Sequence, residues 1–171
     1  MTQAFVAIGS NVDPTLHLRQ AASALRREFP TARFSPCYRN AAFGFQGADF
    51  LNAVVGFETQ LSITALLAAL RRIEFECGRG PQDPKWGPRA IDLDLLLYDA
   101  VVGSGAGYVL PRPDLTRRAY MLGPLAQLAP EFPYPPAGPT IAQLWQSYPQ
   151  HEAALQRTGL DLNAPDASAA G

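Results

Sequence analysis

The 171-residue sequence has only two cysteines and two histidines. Cys37, just ahead of Tyr38, and Cys77, at the end of a helix-like run, match no metal-binding spacing, and both are expected to be free thiols. His17 and His151 support neither a metal site nor a catalytic triad and read as surface residues. No GxxxxGK[ST] is present, which excludes a P-loop enzyme, and Gly9-Ser10-Asn11 is not a dinucleotide-binding fingerprint. No apolar stretch approaches the length of a membrane span, and MTQAFVAIGSN lacks the pattern of a signal peptide, so a cytoplasmic protein with no membrane partner is expected. A formal net charge of −1 excludes a generally basic surface that coats nucleic acid. Internal repeats are absent.

What is present fits one folded domain. A hydrophobic content of 47% with 17% charged residues suits a globular chain, and the length allows one sizeable core. The expected domain spans residues 1–160, with 161–171, DLNAPDASAAG, as a flexible tail. Residues 4–8 read as a short strand, and Asp13-Pro14 as an N-cap with a first-turn proline. Leu18, Ala22, Leu25 and Phe29 then recur at helical spacing. Strands are expected at 33–38 and 50–58, a helix at 62–77 stopped by Gly78, a strand through Asp92 and Asp94, and a short helix at 120–129. The order β-α-β-β-α-β predicts an α+β fold: a ferredoxin-like antiparallel sheet with both helices on one face and C-terminal helices covering the other, an αβα sandwich.

The strand PKWGPRAIDLDLLLYD poses the main chemical question. Alternate residues of a strand share a face, which sets Asp92 beside Asp94, followed by Leu96 and Tyr98. One reading is the solvated face of an amphipathic strand. The other is a metal or phosphate site, because like charges on a half-apolar face need something positive between them. Cations lie on both sides: Arg79, Lys85 and Arg89 around the irregular, lid-like loop 78–88, and Arg112, Arg117 and Arg118 in the next long loop. Acids at the centre with arginines at the flanks suit a magnesium-bound polyphosphate. Glu74, bordering the apolar stripe of its helix, requires a partner.

WGPRAIDLDLLLYD, together with AFVAIGSN, FLNAVV, RRIEFECGR and LPRPDLTRRAYMLGPLAQLAP in that order, resembles the 6-hydroxymethyl-7,8-dihydropterin pyrophosphokinase family over residues 4–130. The resemblance implies transfer of pyrophosphate from ATP, the co-substrate, to the pterin hydroxymethyl group, with no nucleic-acid partner and a monomeric state. It implies that Asp92 and Asp94 bind two magnesium ions (Mg2+), that Arg79 and Arg89 engage phosphates, and that Glu74, Arg112 and Arg118 contact the nucleotide. Asn52 would read the polar edge of the pterin, Phe50, Trp86 and Tyr120 would supply aromatic contacts, and the loop Asn40-Ala41-Ala42-Phe43 backbone contacts. Three positions depart from the family pattern: Arg112 replaces a histidine, Pro81 a second lid arginine, and Asn40 to Phe43 a Thr-x-Pro stretch. A paralogue acting on a modified pterin, or a weakly catalytic pterin- or nucleotide-binding protein, are the alternatives these departures leave open.

Overall fold

The apolar run after Met1 forms strand β1, Thr2–Ser10, longer at both ends than its hydrophobic residues require because it is paired on both sides. The computed structural model describes residues 1–41, 47–78 and 90–164. Helix α1, Pro14–Glu28, follows. Asp13 does stand at its N-cap, but in a left-handed conformation with φ 40° and without a side-chain cap. The strand expected at 33–38 is split into β2, Arg33–Phe34, and β3, Tyr38–Asn40. Pro36 has no N–H to give, and the Ser35 hydroxyl instead accepts from Val54 N at 2.9 Å.

Strand β4, Phe50–Thr59, leads to helix α2, Ile63–Glu76, where Ser62 Oγ accepts from Ala65 N at 3.2 Å as an N-cap. Strand β5, Asp92–Tyr98, is followed by a hairpin of β6, Gly103–Gly105, and β7, Tyr108–Leu110, to which the sequence pattern assigns no element. A short 3-10 turn, Pro113–Thr116, precedes helix α3, Ala119–Leu128. Helix α4, Ile141–Gln146, carries a Thr140/Gln143 capping box, and a two-residue strand, β8, Gln156–Arg157, ends the series.

The main sheet runs β5-β1-β4-β3-β8, with β2 also on β4, and every neighbouring pair is antiparallel. Taking β2 and β3 as one interrupted strand, this is the order of a ferredoxin-like sheet. Ala4, Val6 and Ile8 of β1 pack with Leu18, Leu25, Leu66 and Leu70 of α1 and α2, while Phe5 and Ala7 pack with Leu122 and Leu125 of α3. The period-two alternation of a buried strand therefore builds two cores, one per face, and the fold is the expected αβα sandwich. No helix among the described residues is long and apolar enough to cross a membrane.

Two further differences have clear causes. The register of β5 slips between its pairings with Phe5 and Val6, leaving Leu96 as an extra residue. This bulge moves Tyr98 to the α1/α2 face, where its hydroxyl donates to Leu61 O at 2.7 Å, so Tyr98 does not continue the aspartate face as strict alternation implied. At the other end, Leu162 is 2% exposed within the core, and the Asn163 amide both donates to Phe34 O and accepts from Phe34 N, each at 2.9 Å. The chain is thus anchored through Asn163, beyond where composition suggested a tail to begin; residues 165–171 lie outside the described residues.

Candidate active site

Strand register assembles the site. Asp92 of β5, Gly9 of β1, Asn52 of β4 and Tyr38 of β3 stand opposite one another in a single transverse row. One step along, Asp94 stands opposite Ala7, which faces Val54; Phe50 faces Asn40 at the far end. Because Ala7 and Val54 belong to the α3-side core, this whole set shares that face. The two aspartates are half-buried, neither solvated nor sealed.

Gly9 is where two side chains need room. A Cβ there would meet Asn52 Oδ1 at 2.8 Å and Phe50 Cδ1 at 3.7 Å, so the Asn52 amide lies across β1, towards Asp92. Asn52 is 6% exposed, and its Nδ2 donates to Asn40 Oδ1, while Asn40 Nδ2 donates to Ala41 O at 3.0 Å. Behind the row, Ser10 Oγ donates to Val12 O at 3.1 Å and Asn11 Nδ2 to Ala48 O at 3.3 Å, fixing the end of β1 against the segment that enters β4.

A charged rim borders Asp94. Arg112 N donates to Leu96 O at 3.0 Å, docking the loop after β7 onto β5. Its guanidinium lies 3.7 Å from Asp94 Oδ1 and 3.7 Å from Asp114 Oδ2, and the buried Arg112 Nε has no hydrogen-bond partner among the described residues. Arg117 N and Arg118 N both donate to Asp114 O, and Arg118 O accepts from Met121 N and Leu122 N to start α3. Tyr120 then sits within electrostatic reach of Arg118, Asp114, Asp94 and Arg112; burial pushes its hydroxyl above the ordinary tyrosine range.

Glu74 approaches from the other layer. It is 8% exposed, and its Oε2 accepts from Leu93 N at 2.9 Å, so one of its partners is the backbone between the two aspartates. The structure therefore brings Asp92, Asp94, Asn40, Phe50 and Asn52 onto one face and sets Arg112 beside Asp94, with Arg112, Arg118 and Asp94 all within electrostatic reach of Tyr120 and Glu74 behind the strand. Ala41 contributes its carbonyl to Asn40. Ala42, Phe43, Arg79, Lys85, Trp86 and Arg89 lie outside the described residues. The sequence reading missed Gly9, Ser10, Asn11 and Tyr38 as site residues; the signal available was GSN directly after an apolar strand, where two buried polar side chains follow a glycine.

No group of three His, Cys, Asp or Glu side chains among the described residues is gathered to hold a metal ion. Two carboxylates with oxygen donors alone fit a hard cation that completes its shell with water and phosphate oxygens, and do not fit a soft metal.

A ferredoxin-like sheet with paired carboxylates, flanking arginines and a buried amide on one face defines an enzyme of group transfer. The chain belongs to the 7,8-dihydro-6-hydroxymethylpterin-pyrophosphokinase family, which it matches over residues 5–130. It is 38% identical over 144 residues to the 2-amino-4-hydroxy-6-hydroxymethyldihydropteridine pyrophosphokinase of Synechocystis, covering 82% of this chain and 73% of that one. The enzyme of the same name from Pseudomonas aeruginosa is 38% identical over 138 residues, 77% of this chain and 83% of the relative. Among solved structures, Plasmodium falciparum HPPK-DHPS with pterin and p-hydroxybenzoate superposes with a TM-score of 0.69 at 13% identity, over 86% of this chain. This chain spans only 43% of that protein, and the likeness concerns the fold.

Proposed function

We propose that this protein transfers the pyrophosphoryl group of ATP to 6-hydroxymethyl-7,8-dihydropterin. The pterin hydroxyl oxygen bonds to the β-phosphorus, the bond from that phosphorus to the oxygen bridging the α-phosphorus breaks, and AMP leaves; the hydroxyl proton is lost and the pterin diphosphate is formed. The observation that carries the reading is the strand register, which sets Asp92, Asp94 and the Asn52 amide on one face, in a chain of this family.

Asp92 and Asp94 are the residues that would hold magnesium, two ions in this reading, which neutralise phosphate charge when bound. Arg112 and Arg118 supply fixed positive charge for the nucleotide phosphates. Glu74 keeps the intervening backbone in register through Leu93 N, which fixes the spacing of the carboxylates. Asn52 orients the flat acceptor by hydrogen bonding, and Phe50 and Tyr120 offer ring surfaces to it. No protein nucleophile is required, because positioning and charge stabilisation suffice for direct displacement. The same reading places the protein in the cytoplasm as a monomer acting on free small molecules.

The deciding assay is purified protein with ATP, magnesium and 6-hydroxymethyl-7,8-dihydropterin, followed by chromatography for AMP and pterin diphosphate. Absence of pterin-dependent AMP, with the protein folded, would overturn the proposal.

A further inference from the structure

We infer that Asn40 is a specificity-setting positioning residue: its side-chain carbonyl fixes the orientation of the Asn52 amide, so that the Asn52 carbonyl is presented to N–H donors on the acceptor ring. The inference rests on the proposed function for its substrate class. The two ends of an asparagine amide have nearly the same shape, so neighbouring hydrogen bonds decide which end faces which way. Here they form a chain. Asn40 Nδ2 donates to Ala41 O, which turns Asn40 Oδ1 towards Asn52, and Asn52 answers with its Nδ2. Asn52 Oδ1 is left over Gly9, in the row that ends at Asp92.

A flip of Asn52 would oppose two carbonyl oxygens with no proton between them, and only the Asn40 acceptor opposes that flip among the described residues. Asn40 is itself held from both sides. It pairs with Phe50 across β4, and the residues before it, Tyr38 and Arg39, pair with Arg157 and Gln156 of β8. A ring edge bearing adjacent N–H donors is therefore the ligand chemistry favoured, over the same ring with that edge methylated.

The test compares the unmodified protein with Asn40→Leu, which keeps size and loses the acceptor, and Asn40→Asp, which keeps the acceptor. The Leu variant should raise KM for the pterin by about tenfold, the range expected for loss of one buried hydrogen bond. Its kcat and KM for ATP should stay within about twofold, and its preference for the pterin over a ring-N-methylated analogue should shrink. The Asp variant should retain most of that preference. Calorimetric binding of both pterins is measured alongside, so the outcome does not depend on turnover.

Unchanged pterin binding and unchanged discrimination in the Leu variant overturn the role of Asn40. Asn40-dependent binding without AMP formation by the unmodified protein overturns the proposed function alone, and no pterin binding at all overturns both. Should the Leu variant fail to fold, Asn40→Ser, too short to reach Asn52, carries the same expectations.

Discussion

The Arg112 guanidinium is shared between two carboxylates, with Nη2 3.7 Å from Asp94 Oδ1 and Nε 3.7 Å from Asp114 Oδ2. Both members of the Arg112–Asp94 pair remain about a third exposed, at 34% and 29%. Such a pair contributes about 1 kcal/mol or less to folding. Arg112→Ala should therefore leave the urea midpoint nearly unchanged while raising KM for ATP several-fold. A large loss of stability with unaltered ATP kinetics would reverse this assignment and make Arg112 a structural residue.

Asp92→Asn and Asp94→Asn preserve shape and remove one charge each. Turnover should fall by two or more orders of magnitude in both, because charge held at the phosphates is worth about several kcal/mol in the transition state. Thermal unfolding should stay close to that of the parent protein. Near-parental AMP formation by either variant would remove that aspartate from the site.

Gly9 and Gly56 provide a matched pair on the same sheet. An alanine at Gly9 would press on Asn52 Oδ1 at 2.8 Å, whereas at Gly56 it would press on the Phe5 ring at 2.8 and 3.0 Å and on Leu128 at 3.4 Å. Gly9→Ala should chiefly raise KM for the pterin. Gly56→Ala should chiefly destabilise, by about 1–3 kcal/mol for an overpacked core. Kinetics and urea titrations on the two variants check the contrast, and equal pterin KM values would contradict it.

Cys37 is fully buried, and burial, with a smaller contribution from the Asp161 charge, pushes its thiol up from 9.0 to about 12. The native protein holds this proton where the unfolded chain has already released it, so the associated stability is intact below about pH 9 and is lost as pH rises towards 12. Half-buried Tyr120 and buried Tyr38 are shifted in the same direction, chiefly by burial. Urea midpoints should fall from pH 9 to 11, and Cys37→Ala should flatten part of that decline. Native Cys37 should also resist alkylation at pH 8; rapid modification without unfolding would contradict its burial.

How far the sequence reading reached depended on whether the information was local. Helix α2 could be read from Leu66, Leu70, Ile73 and the Ser62 cap, all within one element. The sandwich followed from element order, and Asp92 and Asp94 declared themselves because carboxylates interrupt an apolar strand. The bulge at Leu96 could not be read, because it exists only as a mismatch with β1. Nor could the Asn40–Asn52 contact, made by residues twelve apart that meet through the pairing of β3 with β4. By composition Asn163 belongs to a loose polar end, yet its amide stands in for a strand partner of Phe34, a long-range role invisible to composition.

Both margins of the main sheet are partly covered, by different means. At β5 the Glu74 carboxylate occupies the outward-facing N–H of Leu93; at β3 the two residues of β8 take the outer ladder, with Thr158 N and Oγ1 bonded to Cys37 O. Open strand margins invite pairing with other molecules, and a short final strand is one way to blunt them. On the ribosome the two coverings come at different times. Glu74 is made before β5 and is waiting for it, whereas β3 must stay uncovered for more than a hundred residues until Gln156 and Arg157 emerge. The margin that carries Asn40 is thus the one on which a nascent chain is most open to wrong partners.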